Sequence, residues 1–446
     1  MGECGGGYVR REPGECVLYQ AVREGWPEVL AEADARGGLP KYVHEEVRRY
    51  LECGDPRYGL ALVKCQSCRE SMVVAFSCKT RGWCPSCGTR RAYETGAHCN
   101  RVLPRVAYRQ WTLSLPGALR WKAVKVPKLM RALERRLVRA VWRWQRQGAR
   151  RAGVRGDFTG GAVGFTQYFG SALQLTPHLH VLVPEALWGP DGLETVGEPT
   201  DQDVEAILRR TLKQVLKEFR DLDVEWGDDG LDALRAQAAQ HRLRLGDAVR
   251  PKGRKVAVVE GFSLHADTWV HANDRTGLAR LCRYGARGPI AKERLSRADD
   301  GTFEYRTKRG VTLRLTAAAL VRRLIALIPP AGYHLTCFHG AFAANSRRRA
   351  EAILQAPIEE PEPKKTLSLK AATTKPRRPR MDFATLQQRT FGVDVWTCRC
   401  GGKRKVMAIV TSHRTAAQLL ENLGLTPKPR SAPPRGPSPP QLSLSI

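Results

Sequence analysis

What this 446-residue chain lacks narrows what it can be. No run of 18 or more apolar residues occurs, so no helix is expected to cross a bilayer. Met1–Gly7 leads into charge rather than an apolar segment, and the N-terminus does not read as a secretory signal. A phosphate-cradling G-x-x-x-x-G-K-[ST] loop is absent, so nothing points to nucleotide hydrolysis as the driving reaction. No internal repeat is found. Acidic residues are scarce beside basic ones, 44 against 74, which leaves a net charge of +30. Such a chain seeks a polyanion, and nucleic acid comes first. Charge alone does not choose between DNA and RNA, or single and double strands. The expectation is a soluble, cytoplasmic, nucleoid-associated protein without a membrane partner.

Cysteine, by contrast, is plentiful: thirteen in all, six between Cys53 and Cys87 and a seventh at Cys99. An odd, clustered set in an intracellular chain suggests metal thiolates more than disulfides. Cys65 and Cys68 form one C-x2-C, Cys84 and Cys87 another, with fifteen residues between the pairs. Each such turn aims two thiolates at one point, and two turns close a tetrahedral shell around structural Zn²⁺. Zinc in small domains of this kind supplies about 10–16 kcal/mol in apparent terms. A redox pair is the competing reading. Cys53 reads as a buried packing thiol, and Cys78 stays open between packing and coordination. Arg81, Arg90 and Arg91 crowd the module, which suits a grip on nucleic acid as well as a purely structural role.

The pattern along the chain predicts an N-terminal zinc-binding domain over 1–100 and a catalytic body over 101–355, with a helical insertion at about 200–255. A Pro-, Lys- and Thr-rich linker (356–380), a small module (381–425) and a disordered tail (426–446) follow. A strand is expected at 108–114. A basic amphipathic helix is expected at 126–151, with Leu129, Leu133, Leu137 and Val141 on its apolar stripe. Two strands within 160–184 are joined by a turn around Gly170–Pro177. A helix follows at 203–219, and strand character at 256–271. A further helix at 273–285 is capped by Asn273 or Asp274 and stopped by Gly285, and a hairpin at 302–316 leads into another helix. The fold class is α+β, a central antiparallel sheet with flanking helices behind a zinc-ribbon-like domain.

Residues 176–185 read TPHLHVLVPE. On a strand, His178 and His180 share one face while Leu179, Val181 and Val183 enter a core from the other. Two imidazoles on a strand are often only buried polar residues. Beside the apolar stretch GAVGFTQYFG and in so basic a chain, they are also what a divalent-metal nuclease needs. Two neutral imidazoles leave a metal's coordination shell open to phosphate oxygens. A third protein ligand is expected, with Gln167 and Gln174 both open as candidates.

Several separated motifs occur in one order: AFSCKTRGWCPSCGTRR, LPRVAYRQWTLSLP, FGSALQLTPHLHVLVPE, GFSLHADTWVHANDRTGLARLCRYGARGPIAKERL and DVWTCRCGGKRKVMAIVT. Together they resemble transposases of the insertion-sequence family ninety-one, within the wider His-hydrophobe-His endonuclease class that includes rolling-circle initiators and relaxases. The resemblance covers most of the chain. It implies an endonuclease-like sheet, and a tyrosine that attacks single-stranded DNA and becomes joined to the 5′ phosphate. It also implies Mg²⁺ or Mn²⁺ held by the His pair. By position in the motif the nucleophile is Tyr284. The residues support that choice: Leu278, Leu281 and Cys282 make an apolar stripe, and Arg280, Tyr284 and Arg287 fall at helical spacing, so that Arg280 and Arg287 can grip phosphate beside the phenol. Two-tyrosine relatives carry a second tyrosine where this chain has Arg280, so it resembles a one-tyrosine variant. One tyrosine acting twice, or two protomers of a homo-oligomer, would then serve both ends. In the C-terminal module, Cys398 and Cys400 replace a C-x2-C, and a metal-free packed hairpin is expected there. His334 and His339 read as structural. A replication initiator or relaxase would keep the same chemistry, but the zinc domain and the GFSLHA–ARGPIA block argue against it. A catalytically silent zinc-dependent DNA-binding protein of transposase descent is the competing class.

Overall fold

The computed structural model describes residues 12–189, 192–218, 230–240, 253–354 and 394–425. The expected linker (356–380), the tail (426–446) and much of the expected insertion lie outside the described residues.

Along the chain, α1 (Val17–Asp34) and α2 (Lys41–Glu52) precede a hairpin of β1 (Leu60–Cys65) and β2 (Ser71–Ala75). Next come α3 (Pro85–Val102), β3 (Tyr108–Ser114), α4 (Gly117–Lys125) and α5 (Pro127–Arg151). A second hairpin, β4 (Gly161–Phe169) with β5 (Leu175–Pro184), is followed by the short pair β6 (Ala186–Gly189) and β7 (Gly192–Thr195). Helices α6 (Asp201–Glu218) and α7 (Gly230–Gln240) lead to β8 (Val256–Val259), β9 (Phe262–Val270) and α8 (Arg275–Ala286). The sheet β10 (Leu295–Arg297), β11 (Phe303–Arg306) and β12 (Thr312–Leu315) precedes α9 (Ala317–Ala326), β13 (Thr336–Gly340) and α10 (Arg349–Leu354). Last come β14 (Arg404–Val410) and α11 (His413–Asn422).

The fold is α+β around a six-stranded antiparallel sheet in the order β13-β4-β5-β3-β9-β8. All nine residues of β4 are buried, as a central strand covered on both faces requires. One face carries Leu113, Leu179, Val181 and Val183 into the main core against Leu133, Leu137 and Val141 of α5. The basic helix therefore turns its apolar stripe to the sheet, and Pro127 starts it where a missing N–H costs nothing. The opposite face carries Val163, Phe165 and Leu182 into a second core with Cys99 and Val102 of α3 and Leu278 and Cys282 of α8. Period-two alternation thus puts His178, His180 and Leu182 on the α8 side.

Two expectations change in detail. The β4–β5 turn is tighter than the expected 170–177: the Gly170 N–H donates to the Gln174 carbonyl at 2.9 Å. Pro177 lies inside β5, opposite a register shift between Gln167 and Phe169, where a residue without an N–H is tolerated. The strand character of 256–271 is met by the hairpin β8–β9. Gly285 does not stop its helix, which runs to Ala286; a Cβ there would lie 2.6 Å from Cγ of Phe165, so the glycine lets α8 lie directly on β4.

Candidate active site and cysteine clusters

Strand β5 sits between β4 and β3, with Gln167 and Ser114 opposite His178, and Phe165 and Thr112 opposite His180. The two imidazole centroids are 4.8 Å apart. Each Nδ1 is occupied: His178 donates to the Thr176 carbonyl at 2.8 Å, and His180 hydrogen-bonds the Thr112 hydroxyl at 3.1 Å. Those partners fix the rings and leave the Nε2 lone pairs available, which is how metal-binding histidines are oriented. Nε2 of His180 is buried without a hydrogen-bond partner. Burial, with the charges of His178, Arg287 and Lys308, pushes the His180 pKa down to about 3. Burial likewise lowers His178, so both rings are neutral at physiological pH.

Tyr284 enters from the last turn of α8. The Asp274 carboxylate starts that helix by accepting the Gly277 N–H at 2.7 Å, and Leu278 and Cys282 bury its inner stripe; Leu281 is half-buried. The tyrosine ring lies 5.5 Å from the His180 ring, centroid to centroid. Gln167 ties the two elements together: its Nε2 donates to the carbonyls of Tyr284 and Gly285 at 2.7 and 2.9 Å. Both amide protons are thereby used, which fixes the side-chain orientation and leaves Oε1 as a buried, unpartnered acceptor. Gln174, the other candidate ligand, instead accepts the Ala172 N–H at 2.8 Å and closes the β4–β5 turn.

Two cations stand against the phenol. The Arg287 guanidinium is 4.7 Å from the ring centroid, and the Lys308 ammonium, at the tip of the β11–β12 hairpin, is 4.6 Å away. Burial alone would raise the Tyr284 pKa, but these charges and their hydrogen bonds bring it below the ordinary phenol value. Arg287 also stacks on Phe169 at 5.0 Å, whereas Arg280 is exposed one turn before Tyr284. Along the outer faces of α5 and α6 runs a groove lined by Arg136, Arg139, Arg143, Arg146, Arg150 and Arg210. Nε2 of His339 donates to the buried Glu134 carboxylate at 2.8 Å, on the sheet face away from the His pair.

The quartet expected from spacing, Cys65, Cys68, Cys84 and Cys87, does not assemble. Cys84 and Cys87 meet Cys53 and Cys78, while Cys65 and Cys68 meet Cys398 and Cys400. The reason is the β1–β2 hairpin. Cys65 and Cys68 lie at its tip, while Cys53 and Cys78 flank its base, where the Gly54 N–H bonds the Phe76 carbonyl. A six-residue strand puts roughly 17 Å between tip and base, too far for one ion. Cys53 and Cys78 are therefore members of a cluster rather than packing thiols, and the C-terminal cysteines do not stand alone.

In the first cluster Cys84 caps α3 and Cys87 lies in its first turn. Sγ of Cys78 is 3.5 Å from Sγ of Cys87, and the Cys78 N–H bonds Sγ of Cys53 at 3.3 Å. Tetrahedral zinc with bonds of about 2.3 Å sets sulfurs about 3.8 Å apart, so the ion fits with small adjustments. Hydrogen bonds from Cys53, Cys78 and Cys84 hold the Cys87 thiol far below its ordinary value, while the same shared bonds raise Cys78 and Cys84.

Residues 161–350 match a family model described as "Putative transposase", and residues 21–115 match one described as "Transposase zinc-binding domain". The two matches together support an insertion-sequence family ninety-one transposase with an N-terminal zinc-binding domain. No curated protein and no solved structure matches. The transposase is a DNA-processing enzyme and binds DNA. Its matched zinc-binding segment contains the whole Cys53–Cys78–Cys84–Cys87 cluster, and structural zinc is part of the protein. Among the described residues no helix is long and apolar enough to cross a membrane.

Some of the transposase's site residues escape sequence reasoning. Thr112 is visible only as a strand residue, and its contact with His180 follows from β3–β5 register. Lys308 reaches Tyr284 because a hairpin folds back over α8, and no spacing rule connects positions 24 apart. Cys53 was signalled only by its place just ahead of the cysteine-rich run.

Proposed function

We propose that the transposase nicks and rejoins single-stranded DNA through a covalent 5′-phosphotyrosine at Tyr284. The observation that carries this reading is the meeting of His178, His180 and Tyr284 on one face of the sheet, with the two imidazoles 4.8 Å apart and the Tyr284 ring 5.5 Å from that of His180. The phenol gives up its proton, its oxygen attacks phosphorus to form a new O–P bond, and the P–O3′ bond breaks, with O3′ taking up a proton to leave as a 3′-OH. Reversal with another 3′-OH rejoins the strand without ATP, because the ester keeps the bond energy. Arg287 and Lys308 favour the tyrosinate and lie where an incoming phosphate can also be gripped.

The donor set fits Mg²⁺ or Mn²⁺: His178 and His180 through Nε2, with the unpartnered Oε1 of Gln167 as third ligand. Bound there, such an ion would polarise the scissile phosphate. Gln174, committed to the turn, is left out. Gln167 has a second duty, since it holds the tyrosine end of α8 against β4. With Arg280 in the position of a second tyrosine, Tyr284 serves successive cleavages, or two protomers each contribute one.

The test uses labelled single-stranded oligonucleotides carrying element ends, with Mn²⁺. An SDS-resistant adduct that disappears in Tyr284→Phe, and whose DNA-linked peptide maps to Tyr284 by mass spectrometry, supports the proposal. DNA binding without any adduct would favour the catalytically silent class, and an adduct on another tyrosine would overturn the residue assignment.

A further inference from the structure

We infer that Cys65, Cys68, Cys398 and Cys400 hold a second zinc ion, one that joins the C-terminal segment to the N-terminal hairpin. The four sulfurs lie within 4.8 Å of one another. Cys65 to Cys400 and Cys68 to Cys398 are each 3.6 Å, close to the sulfur spacing of a tetrahedral zinc thiolate and far beyond a disulfide bond.

Both halves of the site are rigid turns. Cys65–Cys68 is the β1–β2 turn, closed by the Cys65 N–H on the Glu70 carbonyl at 2.9 Å. Cys398–Cys400 lies in a turn in which the Cys398 N–H bonds the Gly402 carbonyl at 2.8 Å and the Gly401 N–H bonds the Cys398 carbonyl at 2.9 Å. Gly401 has φ +80°, which a glycine adopts without strain. The halves are locked together by the Gln66 N–H on the Lys403 carbonyl at 2.9 Å. Beyond it, β1 and β14 pair antiparallel from Leu60↔Val410 to Cys65↔Arg404. At Gly402 a side chain would intrude, since its Cβ would stand 2.9 Å from Sγ of Cys65.

Four thiolates around Zn²⁺ leave net negative charge; Arg69, Arg399, Lys403 and Arg404 lie within or next to the two turns and outnumber the Glu70 carboxylate, which accepts from Sγ of Cys398 at 3.2 Å. Without a metal, what holds β14 and α11 to the hairpin is the strand ladder and a small apolar cluster of Leu60, Val73, Ala416 and Leu420. That cluster is far smaller than the main core, so the metal is the natural reinforcement of a contact between segments 330 residues apart. Cys68 and Cys400 are exposed, whereas in the first cluster Cys53, Cys84 and Cys87 are buried and Cys78 is half-buried. The second ion is therefore the one a chelator reaches first.

The inference stands apart from the nicking reaction and is tested without it. Full-length protein purified under reducing conditions is analysed for zinc by elemental mass spectrometry. Two zinc ions per chain are expected in the wild type and one in C398S/C400S or C65S/C68S, with the remaining ion resistant to chelator. Cobalt substitution of the wild type should give about twice the thiolate charge-transfer absorbance of either variant. Limited proteolysis should release the C-terminal segment from C398S/C400S while the rest of the chain stays protected, which separates local release from global unfolding. One zinc per chain in the wild type, an unchanged two in C398S/C400S, or Cys65–Cys400 and Cys68–Cys398 disulfides in non-reducing peptide maps would each overturn it.

Discussion

Replacing Lys308 by methionine isolates the electrostatic argument about Tyr284. The ammonium lies 4.6 Å from the phenol ring. At that distance Coulomb attraction for a tyrosinate is about 0.9 kcal/mol in bulk water and about 3.6 kcal/mol at an effective dielectric of 20. Tyr284 is 36% exposed, so the value belongs near the water end, at about 1–1.4 kcal/mol. The sign is fixed: a cation favours the ionised phenol, so its loss raises the pKa. Below that pKa the tyrosinate fraction, and with it the nicking rate, falls about 5–10-fold. Single-turnover cleavage of saturating oligonucleotide, measured from pH 7 to 10 with Mg²⁺, should show the variant's profile displaced to higher pH and meeting the wild type's at the alkaline end. A loss of rate that persists equally at every pH would refute the reasoning and assign Lys308 to gripping DNA phosphate.

Other outcomes follow from the same geometry. Gly285→Ala gains about 1 kcal/mol of helix propensity but drives a methyl into Phe165 at 2.6 Å, so a net loss of about 1–2 kcal/mol in urea unfolding is expected, with slower nicking; unchanged stability would mean that α8 does not lie so close to β4. Arg139→Gln and Arg143→Gln, in the α5–α6 groove, should each reduce the slope of log K against log salt for DNA binding by about 0.7–0.9, and an unchanged slope would remove the groove from the DNA path. Cys84→Ser with Cys87→Ser should lose one zinc and depress adduct yield although neither residue is at the site, and full adduct formation by the zinc-depleted variant would show that the first cluster does not support α8.

Local patterns predicted the elements, and long-range pairing decided the site. The strand Tyr108–Ser114 and the helix Pro127–Arg151 follow from apolar periodicity alone, because each presents a continuous stripe to a core. The shared face of His178 and His180 follows from strand alternation. Thr112, Lys308 and the Gln167 link to α8 depend on sheet register and on a hairpin folding back, which no local window records. The cysteines show the limit most clearly. Spacing of C-x2-C pairs counts residues along the chain, but the intervening segment is an extended hairpin that carries its tip away from its base. Each pair then completes its shell with partners that the spacing rule ignores: Cys53 and Cys78 on one side, and a C-x-C delivered by antiparallel pairing with β14 on the other.

Helix α3 explains how the first cysteine cluster and Tyr284, the proposed nucleophile, belong to one body. Cys84 and Cys87 fix its N-terminal turn. Further along, Gly96 lies so close to α8 that a Cβ would be 2.6 Å from Cγ of Arg283, and Cys99 shares a buried core with Cys282. Tyr284 therefore rides on a helix clamped along one side by α3 and at its end by Gln167 of β4. Positioning of this kind matters because a nucleophile displaced by about 1 Å can lose on the order of 100-fold in rate. The chain's net charge of +30 opposes compaction while attracting DNA. At the small apolar cluster that joins β14 and α11 to the hairpin, the inferred second zinc site offsets that cost without adding apolar surface to a protein that presents an arginine-rich groove.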